Sequence, residues 1–473
     1  MPENLQLPAE EMRQFGYQAV DLIIDHMNNL KNKPVSQTID SDDHRNKLTE
    51  SIPEIGSNPE ELLDFLNMNV FNQITHVDHP HFFAFVPGPN NYVGAVADFL
   101  ASGFNIFPTA WLAAAGAEQI ELTTINWLKS MLGFPDSAGG LYVSGGSMAN
   151  LTALTVARQV KLNNDIENAV VYFSDQTHFS VERGLKVLGF KQHQICRIET
   201  DEHLRISVSA LKKQMNEDRM KGKKPFCVIA NAGTTNSGAV DSLNELADLC
   251  NQEDVWLHAD GAYGAPAILS EKGSALLKGI HRVDSLTLDP HKWLFQPYDA
   301  GCLLIRDSQY LRKTFCMIPE YLKDTETSKE EINFGEYGIE LSRRFRALKV
   351  WLSFKVFGVA SFRQAINHGM MLAEQVEEFL GKAKDWEVVT PAQLGIVTFR
   401  YTPWESASLD TINEINKKLV EEITHREFAM LSTTTLKGKV VIRLCTINPR
   451  TTKEEILQIM MKINELAEEV CTS

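Results

Sequence analysis

No stretch of about 18 uninterrupted apolar residues occurs in the 473-residue sequence, so nothing in it reads as a membrane span. Positive charge is scarce: 46 lysines and arginines against 61 acidic residues give a formal net charge of -15, and no long basic run offsets it. Nucleic acid or an anionic membrane would be repelled at long range, so neither is expected as a partner. The seven cysteines, an odd number running from Cys196 to Cys471, form no Cys-x-x-Cys pair. That suits reduced thiols better than a disulfide frame or a zinc site. Residues 1–11 are polar and acidic, without the basic segment and apolar run of a secretory signal. A cytoplasmic location is therefore expected. No internal repeat is found. The 44% hydrophobic and 23% charged residues are those of an ordinary globular chain, long enough for two or three domains.

The chemistry is organised around one lysine. Residues 284–293, DSLTLDPHKW, read as a short strand ending at Asp289-Pro290, because proline cannot donate to a ladder and biases its predecessor toward extended geometry. His291 and Lys292 then project from the strand's carboxyl end, where α/β sheets bind ligands. Flanked by Pro290, His291 and Trp293, the lysine is expected to be partly desolvated, with a lowered pKa and an amine free to attack a carbonyl. The bland alternative is a solvated structural lysine. Upstream, HADGAYG (258–264) follows an apolar run and sets Asp260 at a second strand end. Most such aspartates merely serve turns. A pyridine nitrogen beside this carboxylate, however, would stay protonated and make its ring an electron sink. Asp260 and Lys292 together describe a site for pyridoxal phosphate.

A glycine-rich segment, GGLYVSGGSMAN (139–150), runs into a helical pattern as far as Arg158. Its glycines let backbone amides approach an anion, and a helix starting near Ser147 adds free N–H groups and a positive dipole end, so a phosphate fits there. The turn matches neither the P-loop nor the dinucleotide fingerprint; its place ahead of His178, Asp260 and Lys292 gives it weight. Strands at 169–173, 226–231, 255–259, 285–288 and 301–306 alternate with helices, which predicts an α/β fold with a mostly parallel sheet. His178, Thr234, Thr235 and Asp260 follow strand ends and should converge on one edge.

Elsewhere, Met12, Phe15, Ala19, Leu22, Ile23 and Met27 give a helix over 8–30 one apolar face. Residues 31–43 read as a polar link, 59–69 as a second helix, and 323–331 as a mobile charged loop. Helices are expected at 341–357 and 360–380, strands at 396–401 and 440–445, and a last helix behind a capping box formed by Thr452 and Glu455. His76, His79 and His81 could share an ion. Adjacent Pro80, an apolar context and the lack of a clear acidic or thiol fourth ligand favour a structural or pocket role, so no metal is expected.

Five separated motifs, in order along almost the whole chain, carry a family likeness: GLYVSGGSMANLTAL (140–154), SDQTHFSVERG (174–184), HADGAYG, DPHKW and LSRRFRALKVW (341–351). With them the sequence resembles the group II pyridoxal-phosphate decarboxylases, and among these the aromatic L-amino-acid decarboxylases. The resemblance implies a fold-type I enzyme of the aspartate aminotransferase-like kind. It divides the chain into an N-terminal helical dimerisation segment (1–85), a large cofactor domain (86–350) and a small C-terminal α+β domain (351–473). It also implies pyridoxal 5'-phosphate as cofactor, and a homodimer with shared active sites. The implied reaction converts phenylalanine, tyrosine or tryptophan to the arylalkylamine and carbon dioxide.

Residue by residue, the likeness places His178 on the cofactor ring, Thr234 and Ala262 beside it, and His291 next to the Lys292 linkage. Gly146, Ser147, Asp289 and Ser285 fall in the phosphate neighbourhood, although a carboxylate at 289 would repel phosphate unless a donor intervenes. The segment 79–91 lines the substrate pocket, with Phe85 and Val86 from one subunit and Phe107 and Thr109 from its partner. Arg443 is either a site residue or one half of a surface salt bridge. This pocket offers no obvious cation for a distal carboxylate, which favours an aromatic side chain over an acidic one. Gly88 stands where catechol-using relatives have threonine, which removes a hydroxyl and opens volume.

The position of the family's loop tyrosine, which returns a proton to Cα after carbon dioxide leaves, falls on Phe334. Phenylalanine has no proton to give. Either Tyr337 supplies it and the product is an amine, or the protein is an aromatic aldehyde synthase releasing aldehyde, ammonia and peroxide. A non-catalytic scaffold would be expected to lack Lys292 or Asp260, and an aminotransferase would need a keto-acid acceptor.

Overall fold

The computed structural model describes residues 5–36, 41–317, 331–404 and 406–472. Its centre is a seven-stranded sheet formed by β1 (Gly139–Val143), β2 (Ala169–Ser174), β3 (Ile195–Ile198), β4 (Lys224–Asn231), β5 (Trp256–Asp260), β6 (Ser285–Leu288) and β7 (Gly301–Ile305). The spatial order is β1-β7-β6-β5-β4-β2-β3. Strands β2 to β6 pair in parallel, as the alternating pattern requires, while β7 runs antiparallel to both β6 and β1. The strands β2 (AVVYFS) and β5 (WLHAD) are buried along their whole length, as expected where helices cover both faces of a sheet.

β1 was not legible as a strand because it opens on two glycines. A Cβ on Gly140 would lie 2.0 Å from the Leu303 carbonyl oxygen, so the close pairing with β7 requires the residue that argues against a strand.

The small C-terminal sheet is antiparallel throughout, ordered β10-β11-β9-β8, with β8 (Trp386–Gln393), β9 (Ile396–Tyr401), β10 (Ser432–Leu436) and β11 (Lys439–Cys445). β8 and β10 go beyond the two strands expected. A second core under this sheet joins Phe83 to Leu372, Val376, Phe399, Leu444, Ile459 and Ile463. The last helix, Lys453–Thr472, starts as foreseen: the Thr452 N–H donates to Glu455 Oε2 (2.8 Å) and the Glu455 N–H to Thr452 Oγ1 (3.2 Å).

One helix, Ala347–Lys382, links the two bodies. Val350, Phe354 and Phe362 pack in the large core, Leu372, Val376 and Leu380 in the small one, so the expected division at 350/351 falls inside a shared helix. The backbone breaks at Gly358, whose φ of 71° suits glycine. The helix expected from 341 starts only at Ala347. Before it, Arg343 is drawn inward to Glu121 and Arg346 to Asp299 and Glu340, and these tertiary ion pairs override helical periodicity.

The N-terminal helix, Ala9–Asn29, buries none of its residues in this chain; Met12, Phe15, Ile23 and Ile24 stay exposed. A short helix, Ser41–Leu48, begins within the last residues of the link expected over 31–43. All but the last residue of the expected loop 323–331 lies outside the described residues. The seven cysteines are unpaired, and no helix among the described residues is long and apolar enough to cross a membrane.

Candidate active site

The carboxyl ends of β2, β4, β5 and β6 meet at a cavity of about 340 Å³. Ten expected residues line it: Gly146, Ser147, His178, Thr234, Thr235, Asp260, Ala262, Asp289, His291 and Lys292. Parallel strands explain the convergence, since loops leaving their carboxyl ends share one edge.

Lys292 sits in a tight turn after β6, where its N–H bonds the Asp289 carbonyl (3.0 Å) and the His291 N–H bonds the Ala300 carbonyl (3.2 Å). The turn is anchored by the neighbouring Trp293, fully buried and stacked on Tyr263 with ring centroids 5.2 Å apart. The Lys292 side chain keeps 25% of its surface exposed, and its Nζ lies 3.0 Å from Asp289 Oδ2. Desolvation opposes its charge, as the sequence suggested. Asp289, with Asp260 behind it, outweighs that effect, so the ammonium is held above its ordinary value and the expectation of a lowered pKa is corrected.

The glycine turn leads into the helix Gly146–Leu162, whose N-cap is Gly145. A Cβ at Gly146 would stand 2.9 Å from Asp289 Oδ2 and 3.1 Å from Ala262 Cβ, and one at Gly145 3.2 Å from the His291 ring. Bare backbone is therefore needed where an anion would meet the helix amides. Asp289 lies against that turn and pairs with Lys292 through Oδ2, and its Oδ1 is buried without a hydrogen-bond partner.

Asp260 ends β5 and is fastened at both oxygens: Oδ1 accepts the Ala262 N–H (3.1 Å) and Oδ2 the Asn150 side-chain amide (3.0 Å). His178 caps the helix Phe179–Val187 through Nδ1, and burial holds its pKa below the ordinary imidazole value despite Asp260. Thr234 is buried, with Oγ1 2.9 Å from Ser237 Oγ.

The other expected residues do not line this cavity. Ser285 lies within β6, where its Oγ accepts the Trp256 indole N–H and faces His258, so in this chain it supports β5 rather than the glycine turn. Phe85 is 61% exposed with φ of 49°, Val86 is half-buried and Phe107 is 46% exposed. Thr109 is buried and bonds the Leu341 carbonyl. Phe334 is sealed in the large core, with Arg343 5.1 Å above its ring, and Tyr337 packs beside it at 5.8 Å. Arg443 is not a surface salt-bridge residue. It is 2% exposed, bonds the carbonyls of Thr235 and Phe85, pairs with no carboxylate among the described residues, and has Nη2 buried without a partner.

Several site residues escaped the sequence reading. Asn150 and Ser180 line the cavity, each inside a motif already noticed for a neighbour. His258 lies two residues before Asp260 on the same strand face, a spacing that could have flagged it. Tyr298 corrects the expectation at Gly88: a Cβ there would lie 2.5 Å from the Tyr298 hydroxyl, so the space beside Gly88 is filled and a hydroxyl is supplied from another loop. The Tyr298 ring stands 4.7 Å from that of His291.

Away from the cavity, His26, His76 and Asp78 place ligand atoms within 4.8 Å of one another. Lys33 Nζ lies 3.2 Å from His26 Nδ1 and Arg450 3.8 Å from Asp78, two cations that disfavour a metal there.

A lysine, a strand-end aspartate and a glycine turn lining one cavity are the parts of a pyridoxal-phosphate site. The residues fit that group: a cradle in which a Cβ would crowd Asp289, Ala262 and His291, a reachable amine, and a carboxylate whose fixed oxygens can take a ring N–H. The chain belongs to the pyridoxal-dependent decarboxylase family, whose conserved domain matches residues 42–402, and its cofactor is pyridoxal 5'-phosphate. It is 86% identical to the aromatic-L-amino-acid decarboxylase of Bacillus atrophaeus, over 100% of this chain and 99% of that one. A phenylacetaldehyde synthase of Petunia hybrida is 30% identical over 94% and 92% of the two chains. The structure of Oryza sativa TDC with PLP and tryptamine superposes with a TM-score of 0.93 at 27% identity, over 99% of each chain. Rhodiola rosea 4-hydroxyphenylacetaldehyde synthase gives 0.91 at 26%, over 98% and 99%.

Proposed function

We propose that this chain decarboxylates aromatic L-amino acids, releasing carbon dioxide and the arylalkylamine. The observation that carries the reading is the arrangement of Lys292 and Asp260 about one cavity, in a chain 86% identical to an aromatic-L-amino-acid decarboxylase. Pyridoxal 5'-phosphate, when bound, supplies an aldehyde for amines and a ring that accepts the electron pair of the breaking Cα–carboxylate bond. Lys292 would hold the aldehyde until substrate arrives, and Asp260 would keep the ring nitrogen protonated. His178 would stack on the ring, while Thr234 and Ala262 would stand beside it and His291 near the linkage. Gly146 and Ser147 would hold the phosphate, with Asp289 at its edge. Arg443, a buried guanidinium that pairs with no carboxylate among the described residues and bonds the carbonyl of the cavity-lining Thr235, is suited to a substrate carboxylate.

The exposed apolar faces of the N-terminal helix, and of Phe99, Phe104, Phe107 and Leu112, support a homodimer in which Phe107 and Thr109 serve the partner's site beside its Phe85 and Val86. A cytoplasmic location accords with the composition.

Phe334 sustains a second reading, an aromatic aldehyde synthase. Incubation with phenylalanine, tyrosine, tryptophan and glutamate, scored for carbon dioxide, amine and peroxide, decides between them. Amine matching carbon dioxide, from aromatic substrates only, is expected; Tyr337→Phe should then divert turnover to aldehyde and peroxide. Peroxide in proportion to carbon dioxide from the unaltered protein, abolished by Phe334→Tyr, would establish the synthase.

A further inference from the structure

A chain of side-chain hydrogen bonds reaches Asp260 along one face of the sheet, and its direction is set at its two ends, where the Asp260 carboxylate only accepts and the Trp256 indole only donates. The Trp256 indole can only donate, and it gives its N–H to Ser285 Oγ (2.8 Å). The Ser285 proton is thereby free for His258 Nδ1 at 2.8 Å. The remaining ring proton of His258 sits on Nε2 and is donated to Asn150 Oδ1 (2.9 Å), which also accepts the Thr287 hydroxyl (2.7 Å). With Oδ1 doubly engaged, the Asn150 amide nitrogen turns to the cavity, donating to Asp260 Oδ2 (3.0 Å) and Ser180 Oγ (3.2 Å). The Ser180 hydroxyl, 2.8 Å from His178 Nδ1, completes the path; because the Ser180 N–H also donates to that nitrogen, the His178 proton belongs on Nε2.

We propose that Asn150, oriented by His258 and Thr287, is a positioning residue that presents Asp260 to the cofactor's ring nitrogen and, through Ser180, sets the tautomer of His178. This rests on the reading of Asp260 as the ring-nitrogen partner. His258 suits the task because burial lowers its pKa to about 4, so near neutrality it carries one ring proton and one direction of donation. Strand periodicity builds the relay: His258 and Asp260 share one face of β5, Ser285 and Thr287 one face of β6. The amide matters for its donors. A carboxylate at 150 would face Asp260 across the same 3.0 Å, and two carboxylates that close share a proton.

The test is made on the cofactor-loaded protein with Asn150→Asp, Thr287→Val, His258→Gln, His258→Leu and Asp260→Asn, reading the cofactor's visible absorbance against pH, cofactor affinity, and kcat and KM separately. Asn150→Asp should move the midpoint of the spectral titration by about one pH unit or more and lower kcat by about tenfold or more, with KM changed less than about threefold. Thr287→Val, which keeps the shape and removes one donor to Oδ1, should shift both in the same direction by less, and secures the test if Asn150→Asp does not fold. His258→Gln, still able to donate, should retain more kcat than His258→Leu. Normal spectra and kcat in Asn150→Asp or Thr287→Val, while Asp260→Asn is impaired, would overturn the positioning role alone. An unimpaired Asp260→Asn would overturn the underlying reading of the site.

Discussion

Glu118 offers a quantitative check of the packing around Phe334. It lies on the helix Trp111–Leu132 with 1% of its surface exposed, and its Oε2 accepts the Phe334 N–H (3.2 Å) while Oε1 has no partner. Burial raises its pKa from 4.5 to about 7, and neighbouring Glu121 adds to the rise, against the Phe334 N–H and Arg343. The unfolded chain therefore ionises near 4.5 while the folded protein keeps its proton to about 7, so stability falls as pH rises through that window. The rise corresponds to about 3 kcal/mol. Glu118→Gln keeps the carbonyl acceptor for Phe334 and removes the titration. It should match wild type at about pH 4.5 and exceed it by up to about 3 kcal/mol at about pH 8. Thermal melts of both proteins at saturating cofactor across that range give the comparison. A Tm difference that is constant with pH, or that favours wild type on the alkaline side, would refute the assignment of a protonated, buried Glu118.

Three further outcomes are expected. Glu121→Ala strands the Arg343 guanidinium, which is 1% exposed and also bonds the Pro108 carbonyl, and should cost about 3–5 kcal/mol in denaturant unfolding. Charged substitution of Met12 and Phe15 together should lower activity and shift the protein toward monomer or aggregate in sedimentation; a fully active monomer would remove the argument for shared sites. Gly88→Thr must displace the Tyr298 hydroxyl, so it should change the kcat/KM ratio between tyrosine and phenylalanine, and an unchanged ratio would place Tyr298 outside the substrate's reach.

The site's central pairing was legible in the sequence because each member follows a strand end. Alternating strands and helices force a parallel sheet, parallel strands send their carboxyl ends to one edge, and Asp260, Lys292 and His178 must meet there. Local signals with purely local causes were equally readable, such as the capping box at Thr452 and Glu455 and the apolar stripe behind it. What depends on a neighbour remote in sequence was not. The raised pKa of Lys292 comes from two carboxylates whose distances no spacing reveals, and they overturn the desolvation argument. Arg343 and Arg346 unwind a stretch with good helical periodicity because ion pairs across the fold outweigh propensity. The paired glycines of β1 disguise a strand that needs them for contact with β7. Residue types and order determined which groups share the edge of the sheet; packing alone decided which way they face, what charge they carry, and that Tyr298 fills the space beside Gly88. Periodicity is a property of the chain, whereas orientation and electrostatics belong to pairs of elements brought together only by folding.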